Sequence, residues 1–127
     1  MKVRVPAGLN FYPDVTFVCG EPKYLDASED ALLNPLVIVE VLSDSTEATD
    51  RGRKFKHYRT IASLRAYLLV AQDQVLAELY IRQPDNRWLL TSAGSLDETL
   101  DLEPISCQLA LAEIYRKVFI QGAIGRE

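Results

Sequence analysis

Leu36-Val37-Ile38-Val39-Glu40-Val41-Leu42-Ser43 is the stretch on which the fold turns. Apart from Glu40 and the terminal Ser43 every residue is aliphatic, and most are β-branched. The run reads as a strand apolar on both faces, covered from both sides as a central strand is. Side chains alternate along a strand, so Glu40 shares a face with Leu36, Ile38 and Leu42, while Val37, Val39 and Val41 fill the other. An ionised carboxylate buried without partners is expensive. Glu40 therefore needs a cation, a Lys or Arg, or a water-filled cleft, and a structural ion pair meets that need as well as a functional site does.

On the C-terminal side, Asp44-Ser45-Thr46 supplies N-cap chemistry, with Glu47 and Asp50 as acids in the first turns. A helix from Glu47 to about Ile61 follows. Three β-like segments come next, Ala66–Ala71, Val75–Arg82 and Arg87–Thr91, joined by links short enough for hairpins. A strand near Thr99–Leu102 precedes an amphipathic helix over Leu109–Phe119, with Leu111, Ile114, Tyr115 and Val118 on one face. On the N-terminal side, Phe11 to Cys19 alternates and is rich in β-formers, and residues 21–34 read as a polar loop. In that first strand Asp14 faces with Tyr12, Thr16 and Val18. If the two strands pair, Asp14 and Glu40 converge, and two carboxylates suit a hard divalent cation.

The helix carries five basic residues in nine positions, Arg51, Arg53, Lys54, Lys56 and Arg59. At about 100° per residue, Lys54, Tyr58 and Ile61 fall within an arc of about 60° on the flank of the packing face, so Lys54 can snorkel towards the sheet. The other cations point to solvent or to a polyanion. Gly52 within the helix marks close approach or fraying.

Composition narrows the field. A chain of 127 residues argues for one domain, and 14 Lys and Arg against 18 Asp and Glu give a net charge of −4. That disfavours nucleic-acid binding through the overall field, while a local basic patch stays open. The apolar runs fall far short of the roughly 20 residues a membrane span needs. Met1 to Pro6 lacks the apolar stretch of a signal peptide. Cys19 and Cys107 have no metal-ligand spacing and read as small buried residues of a reduced, cytoplasmic protein. No glycine loop for phosphate and no Cys or His pairing for zinc is present. His57, the single histidine, is tied by motif to no serine or cysteine.

Three blocks carry a resemblance: Pro13-Asp14-Val15, Val39-Glu40-Val41-Leu42-Ser43-Asp44-Ser45-Thr46-Glu47, and Asp50-Arg51-Gly52-Arg53-Lys54-Phe55-Lys56-His57-Tyr58. Together they closely resemble the Uma-two restriction-endonuclease family of the PD-(D/E)XK nuclease superfamily, and the likeness runs from Phe11 to about Val118. It implies an α/β fold: a restriction-endonuclease-like mixed β-sheet with flanking helices and a C-terminal β-hairpin extension, in one nuclease domain over 1–127. By the same resemblance Asp14 matches the first metal-binding carboxylate, Glu40 the second, and the Val41 carbonyl a third oxygen. The superfamily lysine normally stands two residues after the second acid, which here is Leu42, and Lys54 from the helix matches the family's substitute. Arg51, Arg53, Lys56 and Arg59 are candidates for phosphate contacts. Relatives begin several dozen residues earlier, with a helix that can add an acid, so Met1–Val5 matches only the tail of a first core strand.

The function implied is a Mg²⁺- or Mn²⁺-dependent endonuclease acting on DNA, with a homodimer as a possible assembly and no membrane partner. Two rivals remain open. One is a catalytically degenerate nuclease fold serving as a binding or regulatory subunit. The other is a structural dimer without a ligand.

Overall fold

The structure, a computed structural model, describes residues 1–27, 30–43 and 46–117. The decisive stretch forms strand β5 (Val37–Leu42), inside a five-stranded sheet of order β3-β5-β6-β7-β8. Its companions are β3 (Val15–Phe17), β6 (Ala66–Ala71), β7 (Ala77–Arg82) and β8 (Trp88–Ala93). β5 and β6 run parallel, with Glu40 opposite Leu69, and the remaining pairs are antiparallel. A parallel pair needs a crossover, usually a helix. Here it is one helical stretch made of α1 (Glu47–Thr49), a π-turn (Asp50–Lys54) and α2 (Phe55–Tyr58).

The crossover lies on the Glu40 face. Ile38 and Leu42 pack there with Phe55, Tyr58, Ile61, Leu64, Tyr67 and Leu69. The opposite face carries Val37, Leu68, Val70 and Leu79, covered by the hairpin β9 (Thr99–Leu102) and β10 (Cys107–Ala110) and by α3 (Leu111–Lys117). β5 is thus covered on both faces, as its aliphatic run demands. Fully burying one aliphatic side chain is worth about 1.5–3 kcal/mol, so one or two such residues offset a single badly solvated charge.

Several expectations are corrected. The strand expected over Phe11 to Cys19 is two short ones, β2 (Asn10–Phe11) and β3. Pro13 has no N–H to give a ladder, and Asp14 stands in a bend rather than in a strand. The expected loop over residues 21–34 contains β4 (Ala31–Leu32), which pairs in parallel with β1 (Lys2–Arg4). β1 also pairs with β2, so Met1–Val5 belongs to a separate three-stranded sheet and not to the central one. The helix expected to reach Ile61 ends at Tyr58, and the one expected from Leu109 begins at Leu111 because β10 takes Leu109 and Ala110 to pair with β9. Thr46 sits at the helix start with no side-chain cap bond; its hydroxyl instead accepts the Ser43 N–H at 3.2 Å. The expected cap residues Asp44 and Ser45, and Val118 and Phe119 of the last helix, lie outside the described residues.

Cys19 and Cys107 are exposed thiols, not buried residues. Cys19 lies just past β3, and Cys107 begins β10, the second strand of the two-stranded hairpin. Gly52 is exposed, and a Cβ there would meet nothing within 4 Å. It marks no close approach; it lies in the wide π-turn.

Candidate active site

The site is assembled at one end of β5. Asp14 is hooked onto that end by two bonds: its N–H donates to the Val39 carbonyl at 3.1 Å, and its Oδ2 accepts the Val41 N–H at 2.7 Å. The carboxylate therefore does what a strand neighbour would do for Val41, and its side chain stays exposed. Glu40 follows from strand alternation onto the helix face and is only 2% exposed. Its Oε2 accepts the Tyr58 hydroxyl at 2.9 Å and stands 3.5 Å from Lys54 Nζ. Burial pushes the Glu40 carboxyl up to about 7; the Tyr58 bond and the Lys54 charge pull the other way, while Asp50 and Asp14 add to the rise.

Lys54 reaches over from the helix flank, as the helical arc implies. Its ammonium stands 2.7 Å from Asp50 Oδ1. Burial works against its charge, but the pull of Asp50 and Glu40 is stronger and holds Lys54 above its usual range. The Tyr58 hydroxyl is pushed well above the ordinary phenol range by burial and by Glu40, so it stays a donor. Leu42 is buried among apolar neighbours, so β5 brings no cation to the site. Together Asp14, Glu40, Asp50 and Lys54, with Tyr12 and Gln72 at the rim, line an open cleft of about 340 Å³, and Val41 lines it too.

Two residues of this cluster were not legible as site residues. Asp50 reads in sequence as an ordinary helix-start acid, yet it is fully buried. Its one local signal is the spacing of four to Lys54. Tyr58 falls on the same arc as Lys54 but carries no motif of its own.

The basic face is less uniform than its composition. Arg51 is tied down, to Glu47 at 3.0 Å and in a close ion pair to Glu78 of β7. Its guanidinium thus has two acidic partners inside the fold, which leaves it less free than its neighbours to meet a phosphate. Arg53 lies over the Phe11 ring at 5.3 Å and Arg59 over the Phe55 ring at 4.9 Å, both exposed, and Lys56 is exposed as well. His57 packs against Phe11 with the rings tilted and their centroids 5.6 Å apart, a packing role.

Among the described residues no three His, Cys, Asp or Glu side chains gather closely enough to enclose a metal ion. Mg²⁺ does not require such a cage; it is usually held by one or two carboxylates and completed by water and substrate phosphate. The cleft offers that kind of oxygen set, and the buried Asp50 carboxylate beside it is met by the Lys54 ammonium.

A mixed sheet with one parallel pair, a crossover helix on one face and acids at an open strand end defines a restriction-endonuclease-like α/β fold. The superposition agrees. The crystal structure of a putative nuclease belonging to DUF820 from Anabaena variabilis matches 91% of this chain and 64% of that one, with a TM-score of 0.71 at 12% identity. Residues 1–112 match the Uma2 family, described as "Putative restriction endonuclease", and the chain belongs to that family. Two proteins of Synechocystis sp. are similar. Uncharacterized protein sll1609 is 47% identical over 81 residues, 64% of this chain, and uncharacterized protein slr1290 is 36% identical over 117 residues, 91% of it. The chain spans 46% and 60% of the lengths of these two relatives. Among the described residues no helix is long and apolar enough to cross a membrane.

Proposed function

We propose that this chain, as a single nuclease domain over 1–127, hydrolyses DNA phosphodiester bonds with the help of Mg²⁺ or Mn²⁺. The observation that carries the reading is Lys54 Nζ 3.5 Å from the Glu40 carboxylate in a cleft shared with Asp14, in a member of a nuclease family. Asp14, Glu40 and the Val41 carbonyl would hold the ion. When bound, it supplies charge neutralisation and Lewis acidity at the phosphate. Asp14 keeps one oxygen on the Val41 N–H, which fixes its direction. Tyr58 does the same for Glu40. Lys54 places a donor where charge grows on the phosphate or on the attacking water, and such a preset donor is worth about 10²–10³ in rate. Arg53, Lys56 and Arg59 would contact the backbone of the duplex and set the register of cleavage without reading bases. Cutting both strands takes two clefts, which a homodimer supplies. Two free thiols with no bridge fit work in a reducing cytoplasm.

The test is plasmid nicking with Mn²⁺, Mg²⁺ or EDTA. Wild type is expected to nick only with metal, and Lys54→Met is expected to lose cleavage while binding Mn²⁺ about as well. Wild-type rates in Lys54→Met exclude that lysine from the chemistry. Leu42, buried where the superfamily lysine would stand, favours a second reading, a degenerate fold that binds a partner. It predicts no nicking and no metal-linked change in melting temperature.

A further inference from the structure

We propose that Asp50 is a positioning residue: its carboxylate is the dedicated counter-ion that keeps Lys54 over the cleft when a divalent cation claims Glu40. This rests on the reading of Lys54 as the cation of the reaction.

Asp50 is fully buried, and among the described residues no donor other than the Lys54 ammonium reaches its carboxylate. Lys54 is its ion-pair partner, 2.7 Å from Oδ1. A buried carboxylate is normally satisfied by hydrogen-bond donors, and for Asp50 the donor the fold supplies is Lys54. Its neighbours show the contrast, since Asp14 takes the Val41 N–H and Glu40 the Tyr58 hydroxyl. The Tyr67 hydroxyl passes the Asp50 carboxylate by and donates to the Asp50 backbone carbonyl at 2.8 Å. That bond anchors the π-turn, while the Asp50 N–H donates to the Thr46 carbonyl at 2.8 Å. Wide turns of this kind recur at functional sites, where they redirect side chains. Here the turn sets Asp50 and Lys54 on the same side, facing Glu40.

The distances rank the partners. Lys54 sits closer to Asp50 than to Glu40, at 2.7 against 3.5 Å. A divalent cation on Glu40 would take up that charge and repel the ammonium. Asp50, held from behind in the helix, remains and keeps Lys54 in place. The arrangement also lets a helix supply the cation that Leu42 of β5 cannot.

Asp50→Asn keeps the shape and removes the charge. Its single-turnover cleavage is expected to fall about 10²-fold, with affinities for Mn²⁺ and for DNA within about twofold of wild type. Made on top of Lys54→Met, it should cost less than twofold, because it acts only through that lysine. In a crystal of Asp50→Asn grown with Mn²⁺, Lys54 should have left its place beside Glu40. The pair Asp50→Glu and Asp50→Gln keeps the comparison if Asp50→Asn does not fold: the charged variant should cut at least tenfold faster. A wild-type rate in Asp50→Asn, an equal loss in the Lys54→Met background, or Lys54 unmoved in the Mn²⁺ crystal overturns the proposal. If wild type cuts no DNA, the nuclease reading falls, and the position of Lys54 in that crystal still decides this one.

Discussion

Replacing Glu40 by glutamine keeps the outline of the side chain and takes a charge out of a buried position. The carboxyl titrates at about 7 in the fold against 4.5 ordinarily. At about 1.36 kcal/mol per pKa unit, ionised Glu40 opposes folding by about 3 kcal/mol above pH 7. The sign follows from proton counting. Between pH 4.5 and 7 the folded state holds a proton that the unfolded state has lost, so stability falls as pH rises through that window. Glutamine does not titrate there, and its amide oxygen can still accept the Tyr58 hydroxyl. In EDTA, wild type and Glu40→Gln should therefore melt close together near pH 4.5. By pH 8 the variant should melt higher by about 10–15 °C, since each kcal/mol moves a domain of this size by roughly 3–5 °C. Mn²⁺ should reverse the order at pH 8. Wild type gains about 2.7 kcal/mol at a hundredfold excess over Kd, and the variant gains little. Melts by calorimetry at both pH values, with EDTA and with millimolar Mn²⁺, test all of this. The reasoning is refuted if Glu40→Gln melts well below wild type at pH 8 in EDTA and wild type ignores metal. That pattern, a loss of about 3–5 kcal/mol, belongs to a broken buried ion pair with Lys54.

Tyr58→Phe removes the donor to Glu40; it should cost about 1.5–3 kcal/mol at pH 8 by chemical denaturation and less at pH 5, where the acceptor is protonated. Arg51→Met should destabilise by about 2 kcal/mol, because Glu78 of β7 loses its cation. It should leave the salt dependence of DNA binding as it is. Lys56→Ala should do the opposite, with unchanged stability and a lower slope of log Kd against log salt by about 1. Fluorescence anisotropy on a labelled duplex at several salt concentrations separates the two variants.

The sequence by itself determined the central strand, the face of that strand on which Glu40 stands, the hairpins of the C-terminal half and the flank position of Lys54. These follow from periodicity and punctuation, which are local: alternate residues of a strand face opposite ways, and one helical residue turns a fixed angle from the last. They also bring Lys54 towards Glu40, since the helix is the crossover between two parallel strands. What only the tertiary structure decided depends on contacts between distant residues. Asp14 leaves the strand period because its carboxylate finds the Val41 N–H, 27 residues away. β1 and β4 are too short to show a period and exist because Lys2 and Val3 meet Ala31 and Leu32. Arg51 looks like its exposed neighbours until Glu78 of β7 arrives beside it. Asp50 has the composition of a helix start and the burial of a core residue, because the π-turn and the Tyr67 hydroxyl turn it inward. A local pattern fixes the direction in which each side chain leaves its own element. Whether it meets solvent, a partner or another charge is settled by the packing of elements far apart in the chain.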